Sequence, residues 1–413
     1  MKLLVFAHIP PPHHGQSYMV HLMLESFGGD QRRPASGSAA MVDRYGVACY
    51  HVNARVSKEL EDIGDLRIGK LFLLIGYCVQ AIWCKYRYGL NTLYYVPAPG
   101  KPSALYRDWM VMLLCRPFFS RIILHWHAAG LANWLETVAR SRTRAITYRF
   151  MKAVDLSIIL SSFNCADAEK LMPRKIVIVE VGIPDPCPQF DSEVRPRREG
   201  RVAARRKLLA GEQLSLSETE LSDGHPEIVK VLYLAHCFRE KGLFDTLEGV
   251  ALANKQLSAS KSPFRMHLTV IGAFLSQADR DEVERRIVEL GANESVRCLG
   301  FVPAAVKHKC LIEADLFCFP TYYGAENQPG NLIEALAFGL PIVTTRWRSI
   351  PEMLPQGYSA LVPPKSPRDV AHALCNLLTE NHCAPLREHF LKHFTLEQHL
   401  EKMAAAIRHV EKV

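Results

Sequence analysis

The stretch Phe319–Arg346, FPTYYGAENQPGNLIEALAFGLPIVTTR, decides how this chain folds. The apolar run that leads into it, Ala314–Pro320, has the length and content of a buried strand. Thr321–Gln328 is polar, contains Gly324 and reads as a loop. Pro329 and Gly330 then open a helix, because Leu332, Ile333, Leu336 and Ala337 recur at helical spacing. Gly339 ends that helix, Pro341 keeps it from resuming, and Ile342–Thr344 begins a second strand. Strand, loop, helix, strand is the repeating unit of a parallel α/β sheet.

Two carboxylates stand in this unit. Glu326 lies in the loop above the strand's carboxyl end and Glu334 in the first helical turn, so both are predicted to face the crevice where open α/β sheets take ligands. The backbone N–H groups of Gly330, Asn331 and Leu332 are expected to be free at the helix start, where partial positive charge suits a phosphate. Glu334 behind them is suited to accept hydrogen bonds from ribose hydroxyls. Taken alone, the same pair also fits a helix-capping Glu and an exposed loop acid.

The whole stretch resembles the Glu-x7-Glu signature of the retaining glycosyltransferases of family 4, which have the GT-B fold. Glu326, Pro329, Glu334, Ala335, Gly339, Pro341 and Val343 are in register with that pattern, and Asn327 stands where the family usually has Gly. The resemblance implies two doubly wound, Rossmann-like α/β domains facing a central cleft. It also implies metal-independent transfer of a sugar from a nucleotide-diphospho-sugar donor to a glycan or lipid-linked acceptor. The donor is a co-substrate, and no further cofactor is expected. The form of the first loop resembles members that build bacterial surface polysaccharides.

Length and composition fit this reading. The 413 residues suffice for two or three domains, and 48% hydrophobic with 22% charged residues is the balance of a globular protein. The apolar run Leu3–Ala7 stops at Pro10-Pro11-Pro12, too short for the core of a secretory signal. Leu71–Cys84 is too short to span a bilayer, is followed by Lys85 and Arg87, and is predicted to be a buried helix. Twelve cysteines without a C-x-x-C pair indicate neither disulfides nor a zinc site, and a cytoplasmic setting is expected. Residues 1–190 hold 22 Lys and Arg against 14 Asp and Glu, whereas the remainder holds 28 of each. The surplus of the first part suits an anionic partner, and peripheral association with the inner face of the membrane is one expectation. A solvated basic face describes it equally well.

The chain in order supplies the remaining candidates. Leu3–Ile9 is a predicted strand, followed by the loop Pro10–Ser17. Gly15 there permits close backbone approach and matches in part the family's glycine-rich loop near the donor diphosphate. His13 and His14 precede it, and Gly28–Gly46 reads as a loop. Further strands are predicted at Val47–Val52, Thr92–Val96 and Ile122–Trp126. The last ends in His125 and His127 on one face, without a third zinc ligand at suitable spacing. By resemblance, His127 is the histidine that contacts the donor sugar. Arg140–Lys152 forms a basic helical cluster, read either as a membrane contact or as a solvated face.

Residues 191–227 are Arg-rich, then Ser- and Glu-rich, and read as a linker with an inserted surface segment between domains at 1–190 and 228–395. The arginine run lacks interleaved aromatics, so nucleic acid is not an expected partner. The terminal helix, 396–413, is expected to return to the first domain, as in the GT-B fold. Within the second domain the family pattern is an Arg, four residues, then Lys-Gly, the two cations neutralising the donor diphosphate. Lys241-Gly242 matches, His236 occupies the Arg position, and Arg239 is a potential substitute. The implied catalytic residues are Glu326, His127 and Lys241. Those implied in donor binding are Gly15, His236, Lys241, Gly330, Asn331, Leu332 and Glu334, with no metal ligand. A nucleotide-sugar epimerase on the same fold and a non-catalytic nucleotide-sugar binding protein remain as rival readings.

Overall fold

The computed structural model describes residues 1–11, 15–55, 68–98, 100, 102–220 and 224–412. The chain divides into two compact units, Met1–Gly182 with Leu396–Val413, and Ile183–Thr395.

The first unit is a six-stranded parallel sheet of β1 (Lys2–Ala7), β2 (Ala48–Asn53), β3 (Thr92–Tyr95), β4 (Arg121–His125), β5 (Leu156–Ile159) and β6 (Ile176–Ile178), in the order β2-β1-β3-β4-β5-β6. β1 explains the architecture in miniature. Leu3, Val5 and Ala7 enter one buried cluster and Leu4 and Phe6 the other, so a continuous apolar run serves two covered faces. The helix Leu396–Lys412 packs Leu400, Met403, Ala404 and Ile407 on the Leu3–Val5 face. The opposite face carries the helices Ile68–Tyr88, Pro102–Cys115 and Ser141–Met151.

Two expectations change here. Gly28–Gly46 contains the helix Ser38–Tyr45. The Leu71–Cys84 helix is buried along one stripe only, Leu74, Cys78, Ala81 and Cys84, while Phe72, Val79 and Trp83 are exposed. Apolar residues all round this helix suggested full burial, but a helix on one side of a sheet has only one face to bury.

The second unit is also a six-stranded parallel sheet, formed by β7 (Ile228–Leu234), β8 (Arg265–Ile271), β9 (Val296–Gly300), β10 (Leu316–Phe319), β11 (Ile342–Thr345) and β12 (Leu361–Val362), in the order β12-β11-β10-β7-β8-β9. This is the doubly wound order, with its reversal between β7 and β10.

Residues 191–220, within the expected linker, belong to this unit. Its helix Arg195–Leu209 directs Arg198, Arg201 and Arg205 inward at spacings of three and four, and all three are buried. Arg198 donates to the carbonyls of Phe338 (3.0 Å), Ala314 (2.5 Å) and Leu311 (2.6 Å). Arg201 donates to Asp315 at 2.7 Å and to the Glu313 carbonyl at 2.8 Å, and Arg205 donates to Asp315 and the Leu378 carbonyl. A polar composition marks a surface only when the guanidinium donors lack internal acceptors, and here they have them.

Candidate active site

At the reversal between β7 and β10, the chain leaves the two neighbouring strands in opposite directions, and the loops that follow them flank a crevice. The turn after β7 is held from below by Tyr233, whose hydroxyl lies 3.1 Å from the His236 carbonyl and 3.3 Å from that of Lys241. Two glycines let the backbones meet. Gly242 has φ of +80°, and a Cβ on it would lie 2.3 Å from the Pro320 carbonyl oxygen. Gly272, just after β8, has φ of +151°, and a Cβ there would lie 1.7 Å from the Ala235 carbonyl oxygen. Any side chain at either position would push the β7 turn off its seat.

This close approach brings the Lys241 ammonium to 2.7 Å from Glu326 Oε2. Both side chains are largely buried, 15% and 8% exposed, and the ammonium also lies 4.8 Å from the centre of the Tyr323 ring. Thr321 donates to the same Glu326 oxygen at 3.1 Å. The loop after β10 is fixed in turn: Trp347 donates its indole N–H to the Tyr323 carbonyl (2.9 Å), Thr345 donates to the Thr321 carbonyl, and Ser349 donates to Asn327. Asn327 is buried, and its Oδ1 is 3.0 Å from the Ser349 hydroxyl, an acceptor that the family's usual Gly lacks.

The helix Gly330–Ala337 starts beside this pair. Asn331 Nδ2 donates to the Leu234 carbonyl at 2.6 Å, tying the helix start to the end of β7. The N–H of Leu332 is not free as expected: it donates to Asn331 Oδ1 (2.9 Å) and to the Pro329 carbonyl (3.1 Å). Among the described residues, no acceptor takes the N–H groups of Gly330 and Asn331. Glu334 lies just beyond the first helical turn in which it was expected, half-buried, with its carboxylate on the Lys307 ammonium. At the other end of the helix, Arg198 and Arg387 donate to the carbonyls of Phe338 and Ala337 at 3.0 and 2.9 Å, placing two buried cations at its negative pole.

His236 is half-buried, and burial together with the Lys241 ammonium lowers its pKa, so the ring is neutral near pH 7. Arg239, the potential substitute for the family's arginine, is exposed and paired elsewhere. Its guanidinium is committed to Glu282 and stacks 4.1 Å from the centre of the Phe244 ring.

In the first unit, Gly15 is exposed at the start of the helix Gly15–Ser26, while His13 and His14 lie outside the described residues. His127 follows β4, half-buried, with its ring centre 4.2 Å from that of His125. His125 is fully buried and shares a 2.5 Å hydrogen bond with the Tyr94 hydroxyl. Burial, then the neighbouring His127 and His399, hold its pKa well below the usual range, so it serves as a neutral support for His127.

Lys307, Thr321, Trp347 and Gly272 escaped sequence reading. Nothing in AAVKHKCLIE separates Lys307 from Lys309, which pairs with Glu313 one turn on. For Gly272 there was a signal, a glycine closing the apolar run LTVIG.

Two doubly wound units of this kind are the GT-B fold, and solved structures agree. The chain aligns over 98% of its length with 99% of Anabaena HepE, crystallised in complex with UDP and glucose, at a TM-score of 0.62 and 14% identity. It aligns over its full length with all of sucrose-phosphate synthase from Thermosynechococcus elongatus, at a TM-score of 0.67 and 17% identity. Residues 223–393 match the family model "Glycosyl transferases group 1". A curated relative, the amylovoran biosynthesis glycosyltransferase AmsK of Erwinia amylovora, is 25% identical over 165 residues. That match covers 39% of this chain and 38% of AmsK, so little more than a third of the relative's length is spanned.

Proposed function

We propose that this protein is a retaining, metal-independent glycosyltransferase that moves a sugar from a nucleotide-diphospho-sugar to a glycan or lipid-linked acceptor in surface-polysaccharide assembly. The observation that carries the reading is the Lys241–Glu326 pair, delivered by the two loops that diverge at the sheet's reversal. An ammonium at this point, with the free N–H groups of Gly330 and Asn331 a few residues beyond Glu326, supplies positive charge where a leaving diphosphate gathers negative charge. Lys241 is the electrophilic partner of that diphosphate. Glu326, held by Lys241 and Thr321, orients the donor sugar, and Glu334 accepts from the ribose hydroxyls in exchange for Lys307. Neutral His236 donates one hydrogen bond to the diphosphate, Gly15 offers backbone approach to it, and His127 contacts the sugar. The relatives' names and the UDP bound to HepE support a nucleotide-sugar donor. The charge surplus of residues 1–190 extends the reading to work at an anionic membrane face.

His236, where the family has a permanent cation, favours one rival, binding of a nucleotide sugar without turnover. Both readings are tested by heat unfolding in the presence of a panel of nucleotide diphosphates and their sugars, followed by assay of sugar transfer with the ligand that stabilises most. Transfer with retained anomeric configuration is expected. Stabilisation without turnover would give the site to the rival, and no stabilisation by any nucleotide would overturn the donor site itself.

A further inference from the structure

The helix Ile68–Tyr88 presents an apolar stripe to solvent. Phe72, Ile75, Val79, Trp83 and Tyr86 follow one another at spacings of three and four, and Phe72, Val79, Trp83 and Tyr86 are 55–69% exposed. The stripe continues onto Phe118, whose ring meets that of Tyr86 edge-on at 6.4 Å. A run of large apolar side chains this long is unusual on a surface in contact with water alone. At 21 residues the helix is about 31 Å long. No described helix of the chain is long and apolar enough to cross a membrane.

Charge selects the occupant of this stripe. Of the helices on this face of the sheet, the short Leu131–Thr137 and Cys165–Glu169 carry the exposed Glu136 and Glu169, whereas Ile68–Tyr88, Pro102–Cys115 and Ser141–Met151 carry a single carboxylate, Asp108. It is fully buried and held by Tyr95 and Arg107 at 2.6 and 2.9 Å. Arg87, Arg142 and Arg149 are exposed on the same three helices, and Arg87 and Lys85 lie over the rings of Tyr88 and Tyr86 at the stripe's end. Cationic heads beside tyrosine and tryptophan rings, around a core of phenylalanine and valine, match the layering of a lipid interface with anionic headgroups.

We propose that the helix Ile68–Tyr88 lies in the interface of an anionic bilayer, its Phe72–Tyr86 stripe among the acyl chains and the surrounding cations on the headgroups. The inference builds on the reading of the first unit as facing an anionic membrane, and adds the apolar anchor and its location. Stable attachment takes two signals, and this face supplies both.

The test is co-sedimentation of the full chain with vesicles of phosphatidylcholine alone and of phosphatidylcholine with phosphatidylglycerol. Preferential binding to the anionic vesicles is expected, weakened by about 0.5 M salt. The triple variant Phe72→Ser, Val79→Ser, Trp83→Ser is expected to lower the partition coefficient by about tenfold or more. Its thermal unfolding and its stabilisation by a nucleotide diphosphate should match the parent chain, because the altered side chains are exposed and outside the donor site. Loss of nucleotide stabilisation in the parent with vesicle binding intact would remove the donor-site reading and leave the anchor standing. The anchor itself is overturned if the triple variant binds vesicles like the parent, or if the parent binds none. It also falls if the stripe proves to join two copies of the chain in a concentration-dependent dimer that the variant abolishes.

Discussion

Strand β10 is flanked by two ion clusters of opposite character. Just before it, Asp315 is 4% exposed and accepts from Arg201, Arg205 and the backbone N–H of Lys230, so both of its oxygens are held by fixed donors. Just after it, Glu326 accepts from one lysine and one threonine hydroxyl, at the mouth of a crevice. Arginine's planar fork makes a rigid joint between the helix Arg195–Leu209 and the sheet. Lysine's ammonium is a point charge on a flexible stem, able to turn from a carboxylate to a phosphate without rebuilding its surroundings. One strand thus has a structural end and a chemical end, and the residue type at each says which it is.

The comparison breaks most visibly at Asp315. Asp315→Ala strands two buried guanidiniums and is expected to lose about 3–5 kcal/mol in urea unfolding. At a temperature where the variant remains folded, nucleotide-diphosphate affinity should be unchanged. A loss below about 1 kcal/mol would mean that the arginine joint is not what fixes the strand.

Lys241→Met is expected to do the reverse, weakening nucleotide-diphosphate binding by about 2–3 kcal/mol, as for a hydrogen bond between charged groups. Isothermal titration of the folded variant measures this, and parental affinity would remove Lys241 from the diphosphate's shell. A smaller effect, about 1.5–2 kcal/mol, is expected for Glu334→Ala. There the sharper readout is discrimination between ribose and 2′-deoxyribose nucleotides, which should disappear with the carboxylate. Discrimination that survives would assign the ribose to another residue.

His236 gives the smallest effect. Burial, then the Lys241 ammonium, lowers its pKa in the free protein, so the neutral ring prevails at neutral pH. Bound diphosphate raises that pKa, and a group whose pKa rises on binding strengthens binding as pH falls through the bound value. Affinity is therefore expected to increase from pH 7.5 to 6, by on the order of 1 kcal/mol or less. The slope should vanish in both His236→Ala and His236→Arg, the latter binding more tightly at pH 7.5. A slope that persists in His236→Ala belongs to another group.

The sequence by itself determined the parallel α/β units and the residues around Phe319–Arg346, because strand, loop and helix signals there are local: runs of apolar residues, a proline-glycine start and a glycine stop. It also marked Lys241, Glu326 and Glu334 as candidates, through their resemblance to the motifs of a known family. Only the tertiary structure decided which of them touch, since Lys241 and Glu326 are 85 positions apart and meet because Gly242 lets two backbones approach. Pairing of Glu334 with Lys307, and of Asp315 with two arginines in an apparent linker, likewise depends on acceptors supplied by distant segments. The same holds for the helix Ile68–Tyr88. Its sequence specified an apolar helix, but how much of that surface is covered is set by what packs against it, and the sheet covers one side only.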